Sequence, residues 1–195
     1  KNILIIGANG FTGRRILNDL SVNPIYHVTG CSLRDDICPG KDYRFVRTDI
    51  RDENEVRKLF KECRPDIVIN TSALSVPDYC ETHHAEAEAT NVTAVETIAH
   101  VCEQYGSRFI HLSTDFVFDG KSTRLYKEED EAIPVNYYGV TKLKAEKIIA
   151  SICSNYAIVR VVVVYGKALP GQHGNILQLV ANRLRNGETI RVVSD

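Results

Sequence analysis

Tryptophan and methionine are both missing from the 195 residues, not even an initiator being present, so the chain reads as a processed or partial version of a longer protein. Neither sign of charge is in excess: Lys and Arg number 24 against 25 Asp and Glu. That balance excludes a general nucleic-acid binder, which would carry a clear basic surplus. Long apolar runs are missing as well. The longest stretch, 157–165, is interrupted by Arg160 and is far too short to span a bilayer. The six cysteines form no C-x-x-C pair and no zinc-ligand spacing. With no signal peptide ahead of the first strand, they read as reduced thiols in a cytoplasmic protein. The pair His83-His84 is not a metal motif, because adjacent side chains diverge on a helix and tetrahedral sites need three or four convergent ligands. Repeats, linkers and low-complexity segments are absent too.

What is present is alternation. Short apolar runs at 3–6, 26–30, 45–46, 66–70, 108–113 and 156–164 read as strands. Amphipathic stretches lie between them: 13–20, a helix opened by Asp52 and stopped by Pro65, 85–105 with Gly106 as cap, 137–153 and 175–185. Asp52 with Glu55 three residues on is a capping-box pattern. In the helix at 137–153, Val140, Leu143, Ile148, Ile149 and Ile152 are expected to face inward. The order predicts an α/β protein, a Rossmann-type doubly wound parallel sheet with right-handed crossovers. Ligands of such sheets bind beyond the carboxyl ends of the strands. The segment 189–195 reads as one more strand that stops in mid-course, and a further C-terminal portion is expected.

After the first strand comes Gly7-Ala8-Asn9-Gly10-Phe11-Thr12-Gly13, opening directly into a helix. Glycines permit a tight turn and close backbone approach to a pyrophosphate, whose charge rests on the helix N-terminus. The spacing is G-x-x-G-x-x-G. NAD binders place a carboxylate after the second strand to hold the ribose hydroxyls. Here the sequence is Gly30-Cys31-Ser32-Leu33-Arg34, with no carboxylate before Asp35. Ser32 and Arg34 suit a 2′-phosphate, which favours NADP(H) with NAD(H) as a possible alternative.

Tyr138 and Lys142 stand four apart at the start of a helix and share one face. A nearby ammonium lowers a phenol's pKa from about 10, which makes the tyrosine usable as an acid or base. Tyr137 lacks a lysine at that spacing. At the end of the fifth strand, Ser113-Thr114-Asp115 offers a hydroxyl that projects into the crevice outside the sheet.

Taken together these motifs resemble the dTDP-4-dehydrorhamnose reductase family of the extended short-chain dehydrogenase/reductase superfamily. The residues that carry the likeness are Gly7 to Gly13, Asp49-Ile50, Asn70-Thr71-Ser72-Ala73, Asp78 with Glu81, and Asn91. They continue with Ser-Thr-Asp-Phe-Val-Phe-Asp-Gly at 113–120 and Asn136-Tyr137-Tyr138-Gly139-Val140-Thr141-Lys142. The resemblance implies that Thr114 polarises a substrate carbonyl, Tyr138 protonates its oxygen, and Lys142 holds the nicotinamide ribose and depresses the tyrosine pKa. It implies that Gly10, Phe11 and Thr12 cradle the pyrophosphate, that Asp49 and Ile50 flank the adenine, and that Ala73, Leu74 and Ser75 line the cofactor. Asp115 would lie near the substrate, and Asn91 would be either a helix-kink residue of a proton relay or a buried structural asparagine.

Two positions depart from the family pattern, both on the substrate side: Val163 stands where an aromatic is frequent, and Leu74 where His or Tyr is. The implied division is a cofactor domain with the catalytic residues at 1–166 and a truncated substrate-binding region from 167 to 195. The implied activity is NAD(P)H-dependent reduction of the C4 keto group of a nucleotide-linked deoxysugar, dTDP-4-dehydro-L-rhamnose first among them, with a homodimer as a possible assembly. Two alternatives stay open. One is a related sugar-nucleotide epimerase or dehydratase. The other is a non-catalytic regulatory subunit like the β subunit of methionine adenosyltransferase, which resembles the same family.

Overall fold

The structure is a computed structural model that describes residues 1–39, 42–169, 172 and 175–190. Strand β1 (Asn2–Ile6) is buried from its second residue to its last, as a strand covered on both faces must be. It runs into α1 (Phe11–Ser21), then β2 (His27–Ser32) and β3 (Arg44–Arg47). Helix α2 (Glu53–Cys63) leads to β4 (Ile67–Asn70). Two short helices follow, α3 (Pro77–Thr82) and α4 (His84–Glu88). A π turn (Ala89–Thr93) joins α4 to α5 (Ala94–Tyr105). Then come β5 (Arg108–Thr114), a 3-10 turn (Asp115–Val117), α6 (Tyr137–Ile152), β6 (Tyr156–Val161) and α7 (Ile176–Arg185).

All neighbouring strands pair in parallel, in the order β3-β2-β1-β4-β5-β6. The order reverses between β1 and β4, so the crevice beyond their carboxyl ends is the place for a ligand. Alternate residues of β1 serve opposite faces. Leu4 and Ile6 join Val56, Phe60, Ile98, Phe109 and Ile149 in the core under α2, α5 and α6. Ile3 and Ile5 join Leu17 and Val28 under α1. Each large side chain taken from water this way contributes roughly 1.5–3 kcal/mol before entropy is charged against it.

The capping box is met in altered form. Asp52 accepts from the N–H groups of Asn54 and Glu55, while Glu55 reaches back to the Asp49 N–H at 2.6 Å rather than to Asp52. Some expectations need correction. The helix expected at 85–105 is divided by the π turn at Asn91, and a further short helix, α3, precedes it. Strand β6 ends at Val161 because its partner β5 ends at Thr114 and turns away, so Val162, Val163 and Val164 are exposed.

The inner face of α6 is polar as well as apolar: Tyr138, Thr141, Lys142 and Glu146 are buried, and of the five expected apolar residues only Ile149 is. That helix turns its polar groups toward the sheet beside Ala145 and Ile149. The strand read at 189–195 does not form over Thr189 and Ile190, and its remainder lies outside the described residues. No described helix is long and apolar enough to cross a membrane.

Candidate active site

The first component is the glycine loop after β1. Gly7 has φ +82°, the left-handed region that favours glycine. A Cβ on Gly13 would stand 2.3 Å from the Gly7 carbonyl oxygen and 2.6 Å from Thr71 Oγ1, so α1 packs there only because the side chain is missing. Gly10 is the N-cap of α1, with no side-chain cap and no acidic residue in the first turn. Free amides at the positive end of a helix, approached through glycines, fit a pyrophosphate. Phe11 and Thr12 form that first turn and are half-buried.

The loop is stapled to the segment after β2 by a residue outside the glycine pattern. Asn9 Nδ2 donates to the carbonyls of Arg34 (3.2 Å) and Asp35 (2.8 Å), and its Oδ1 accepts from Arg14 Nη2 at 2.7 Å. Arg14, almost fully buried, pairs with Asp36 at 2.6 Å and donates to the Tyr43 hydroxyl. Burial raises the Asp36 carboxyl, but hydrogen bonds from the Cys38 N–H, Tyr43 and Arg14 outweigh it and leave its pKa lowered. Asp36 is therefore committed to the protein. Ser32 is half-buried and the Arg34 side chain is exposed beside the loop.

Of the residues expected at the adenine, Asp49 faces Arg51, which grips it with two nitrogens at 2.9 and 2.6 Å, and Ile50 packs on the core. The Arg51 hydrogen bond leads the causes that hold the Asp49 carboxyl below the usual range.

The third strand end bearing on the crevice is that of β4. Asn91, fully buried in the π turn, accepts from the Leu74 N–H at 2.8 Å and donates to the Leu74 carbonyl and to Thr141 Oγ1 at 3.1 and 3.0 Å. It therefore locks the Ala73-Leu74-Ser75 loop onto α6. All its polar atoms are engaged in structural bonds, so the buried-asparagine reading matches this geometry. Ser75 is exposed at the loop's tip.

The catalytic candidates meet between β5 and α6. Thr114, at the end of β5, donates to Asp115 Oδ1 at 3.1 Å and accepts from the Phe116 N–H. Asn136 caps α6 by accepting from the Gly139 N–H at 2.8 Å, which places Tyr138 in the first turn, edge-on to Phe116. Gly139 allows the approach, since a Cβ there would lie 2.2 Å from the Phe116 carbonyl oxygen. Tyr137 faces elsewhere, stacking on His84 and donating to Glu88 at 2.8 Å.

The lysine behaves differently from what the spacing implied. Lys142 Nζ lies 2.8 Å from His111 Nε2 and donates to the Leu112 carbonyl at 2.7 Å. Burial pushes it down to about 7, with Glu146 pulling the other way. Burial, with Cys80 and Asp115 nearby, pushes the Tyr138 phenol up to about 12 against a smaller lowering by Thr114. Lys142 is not among the causes of the Tyr138 shift, since its nitrogen is directed at β5 rather than at the phenol. Val163, expected at the substrate, is exposed beyond the end of β6.

Sequence reasoning gave no role to the side chains of His111, Asn70 and Glu146, although Asn70 is among the residues that carry the family resemblance. His111 and Asn70 are fully buried and bonded at 3.2 Å. Glu146 accepts from Ser113 and pairs with Arg160 at 2.7 Å. The available signal was a polar residue at an inward position of an apolar strand, which by itself does not distinguish a site from a satisfied core group. Among the described residues no cluster of three metal-ligating side chains occurs.

The profile of the RmlD substrate binding domain family matches residues 1–195. Among curated relatives, the probable low-salt glycan biosynthesis reductase Agl14 of Haloferax volcanii is 34% identical over 98% of this chain and 63% of its own length. Methionine adenosyltransferase 2 subunit beta of Bos taurus is 32% identical over 86% of this chain and 48% of its own. This chain thus spans about half to two-thirds of the relatives it matches. A solved dTDP-4-dehydrorhamnose reductase from Clostridium acetobutylicum superposes with a TM-score of 0.77 at 30% identity, over 95% of this chain and 60% of that one. MoeE5, solved with UDP-glucose and NAD, superposes at 0.81 with 26% identity over 100% and 64%.

Proposed function

Because the chain belongs to the RmlD substrate binding domain family, within the extended short-chain dehydrogenase/reductase fold, we propose that the protein it represents is a nicotinamide-dependent reductase of a nucleotide-linked keto-sugar. The finer reading is reduction of a C4 ketone, with dTDP-4-dehydro-L-rhamnose as first candidate. The observation that carries it is the convergence of the Thr114 hydroxyl and the buried Tyr138 phenol at one strand end. A nicotinamide cofactor on the glycine loop would supply the reducing equivalent.

Gly10, Phe11 and Thr12 would hold its pyrophosphate, Ser32 and Arg34 its adenosine end, and Leu74 its outer edge. The commitment of Asp36 to Arg14 supports NADP(H) over NAD(H), since that carboxylate is withheld from ribose hydroxyls. The chain's own residues perform the rest. A phenol holds its proton at neutral pH, so Tyr138 is a donor for the oxygen of a ketone undergoing reduction. Thr114 donates to the same oxygen as negative charge develops there. Residues 1–166 would form the cofactor and catalytic unit. The stretch from 167 would open the substrate-binding part, where α7 has no buried residue among those described.

The likeness to methionine adenosyltransferase 2 subunit beta supports a second reading, a subunit that works by binding. NADPH oxidation on a panel of nucleotide keto-sugars separates the two. Tyr138→Phe should lower the turnover rate by roughly 10²–10⁴-fold while leaving NADPH affinity within a factor of about two. Full activity in that variant removes the proposed proton donor. Binding of a larger partner with no turnover on any keto-sugar favours the second reading.

A further inference from the structure

A chain of buried hydrogen bonds runs from the loop after β4 to the candidate lysine, and its donors and acceptors can be counted. The Ser72 backbone N–H, which can only donate, points at an Asn70 oxygen at 3.0 Å, and the Ser72 hydroxyl donates to the same oxygen at 2.6 Å. The side-chain amide of Asn70 is thereby oriented: its Nδ2, a donor, faces His111 Nδ1 at 3.2 Å. His111 Nδ1 must then accept, so the neutral ring carries its proton on Nε2. That N–H faces Lys142 Nζ at 2.8 Å, and Nζ also donates to the Leu112 carbonyl at 2.7 Å. An ammonium has no lone pair with which to receive a proton, whereas a neutral amine can accept from His111 and still donate to Leu112.

We propose that Ser72, Asn70 and His111 form a proton-ordered chain that holds Lys142 as a neutral amine in the cofactor-free protein, with His111 as the positioning residue. The groups around the lysine are consistent with this. On β5 there is His111, a neutral ring. On α6, Tyr138 is a neutral phenol, and the Glu146 carboxylate is bonded to Ser113 of β5 and paired with Arg160 of β6. Asn70 on β4 carries no charge. Every donor in the chain from Ser72 to Leu112 has an acceptor, which a lysine cation would disrupt by forcing the His111 proton onto Nδ1 against the Asn70 amide. For its consequence the inference rests on the cofactor reading: NADPH would bring ribose oxygens that accept hydrogen bonds up to the lysine, which favours the ammonium, so its binding is accompanied by proton uptake at Lys142.

The test reads the protons in the full chain. With isotope-labelled histidine, long-range proton–nitrogen correlations report the tautomer of His111, identified by its contact with the Phe109 ring at 5.9 Å. The expected result is Nε2–H at about pH 8.5, where Lys142 is a neutral amine, giving way to Nδ1–H as the lysine takes up its proton on the acid side. An Nδ1–H tautomer at about pH 8.5 overturns the proposal. The Lys142 side-chain carbon should titrate near neutrality, and an ammonium persisting to about pH 9 equally overturns it.

Asn70→Asp replaces the ordering donor by a pure acceptor, so the folded variant should switch His111 to Nδ1–H and raise the proton affinity of Lys142 about tenfold or more. A folded variant that keeps Nε2–H counts against the chain, and if the variant does not fold, the two wild-type measurements decide. Calorimetry of NADPH binding in two buffers of different protonation enthalpy should show uptake approaching one proton at about pH 8.5. Binding without uptake overturns the consequence. Failure of NADPH to bind overturns the cofactor reading instead and leaves the tautomer to decide this one.

Discussion

Around the glycine loop, position is set by what cannot fit; around Tyr138 and Lys142, it is set by hydrogen bonds that must be made. In the β1–α1–β2 half, Gly7 and Gly13 are required because a Cβ at Gly13 would collide with the Gly7 carbonyl and with Thr71. In the β4–β5–α6 half, buried and half-buried side chains from Ser72 to Arg160 satisfy one another. Steric exclusion acts through the backbone and tolerates almost no substitution. A buried polar chain acts through donors and acceptors and tolerates substitutions that keep the count right. The two halves should therefore fail in different ways.

The largest expected effect is at Gly13. Gly13→Ala should lower stability by roughly 3–5 kcal/mol, read as a drop in melting temperature, because the nearest obstructing atom is the Gly7 carbonyl oxygen, which is backbone and cannot step aside. A variant as stable as wild type would mean that the loop is less tightly packed than described. Glu146→Ala probes the other half. It leaves Arg160 and the Ser113 hydroxyl without their carboxylate and should cost about 2–4 kcal/mol by denaturant unfolding, with Glu146→Gln intermediate because the amide can still hydrogen-bond. If both variants lost equal stability, the role of the carboxylate charge would be refuted.

Asp36 offers a smaller, pH-dependent comparison. Its folded pKa lies below the unfolded value of about 3.9, so its contribution is fully present above that pH and is lost as pH falls through the folded pKa. The stability gap between wild type and Asp36→Asn should accordingly narrow below about pH 4, and a gap constant down to about pH 2 would contradict this assignment. The smallest effect belongs to a cap remote from either device. Asp52→Ala removes the acceptor for the N–H groups of Asn54 and Glu55 and should cost about 1 kcal/mol. A much larger loss would show that α2 helps to hold the adenine-side loop through Glu55 and Asp49.

Local patterns proved readable where one interaction dominates. The glycine spacing, the apolar run of β1, the Asp52 cap and the shared helix face of Tyr138 and Lys142 are each short-range or periodic, and all correspond to features of the fold. Less was legible where long-range partners decide. The helix expected from 85 to 105 carries an unbroken apolar stripe, yet it is interrupted at Asn91, whose amide finds Leu74 and Thr141 from distant segments. The aliphatic residues of α6 suggested its inner face, yet that face is shared with Tyr138, Lys142 and Glu146 because the strand ends opposite offer polar partners.

By itself the sequence determined the strand–helix alternation, the glycine turn and the presence of a hydroxyl, a phenol and an amine in the order that reduction chemistry uses. These depend on backbone sterics and on spacing along one chain. Only the tertiary structure decided the state of those groups. It turned Lys142 toward His111, raised the proton affinity of the Tyr138 phenol by burying it, and withheld Asp36 by pairing it with Arg14. Proton affinity and pairing depend on desolvation and on neighbours tens of residues away, and the packed sheet supplies both.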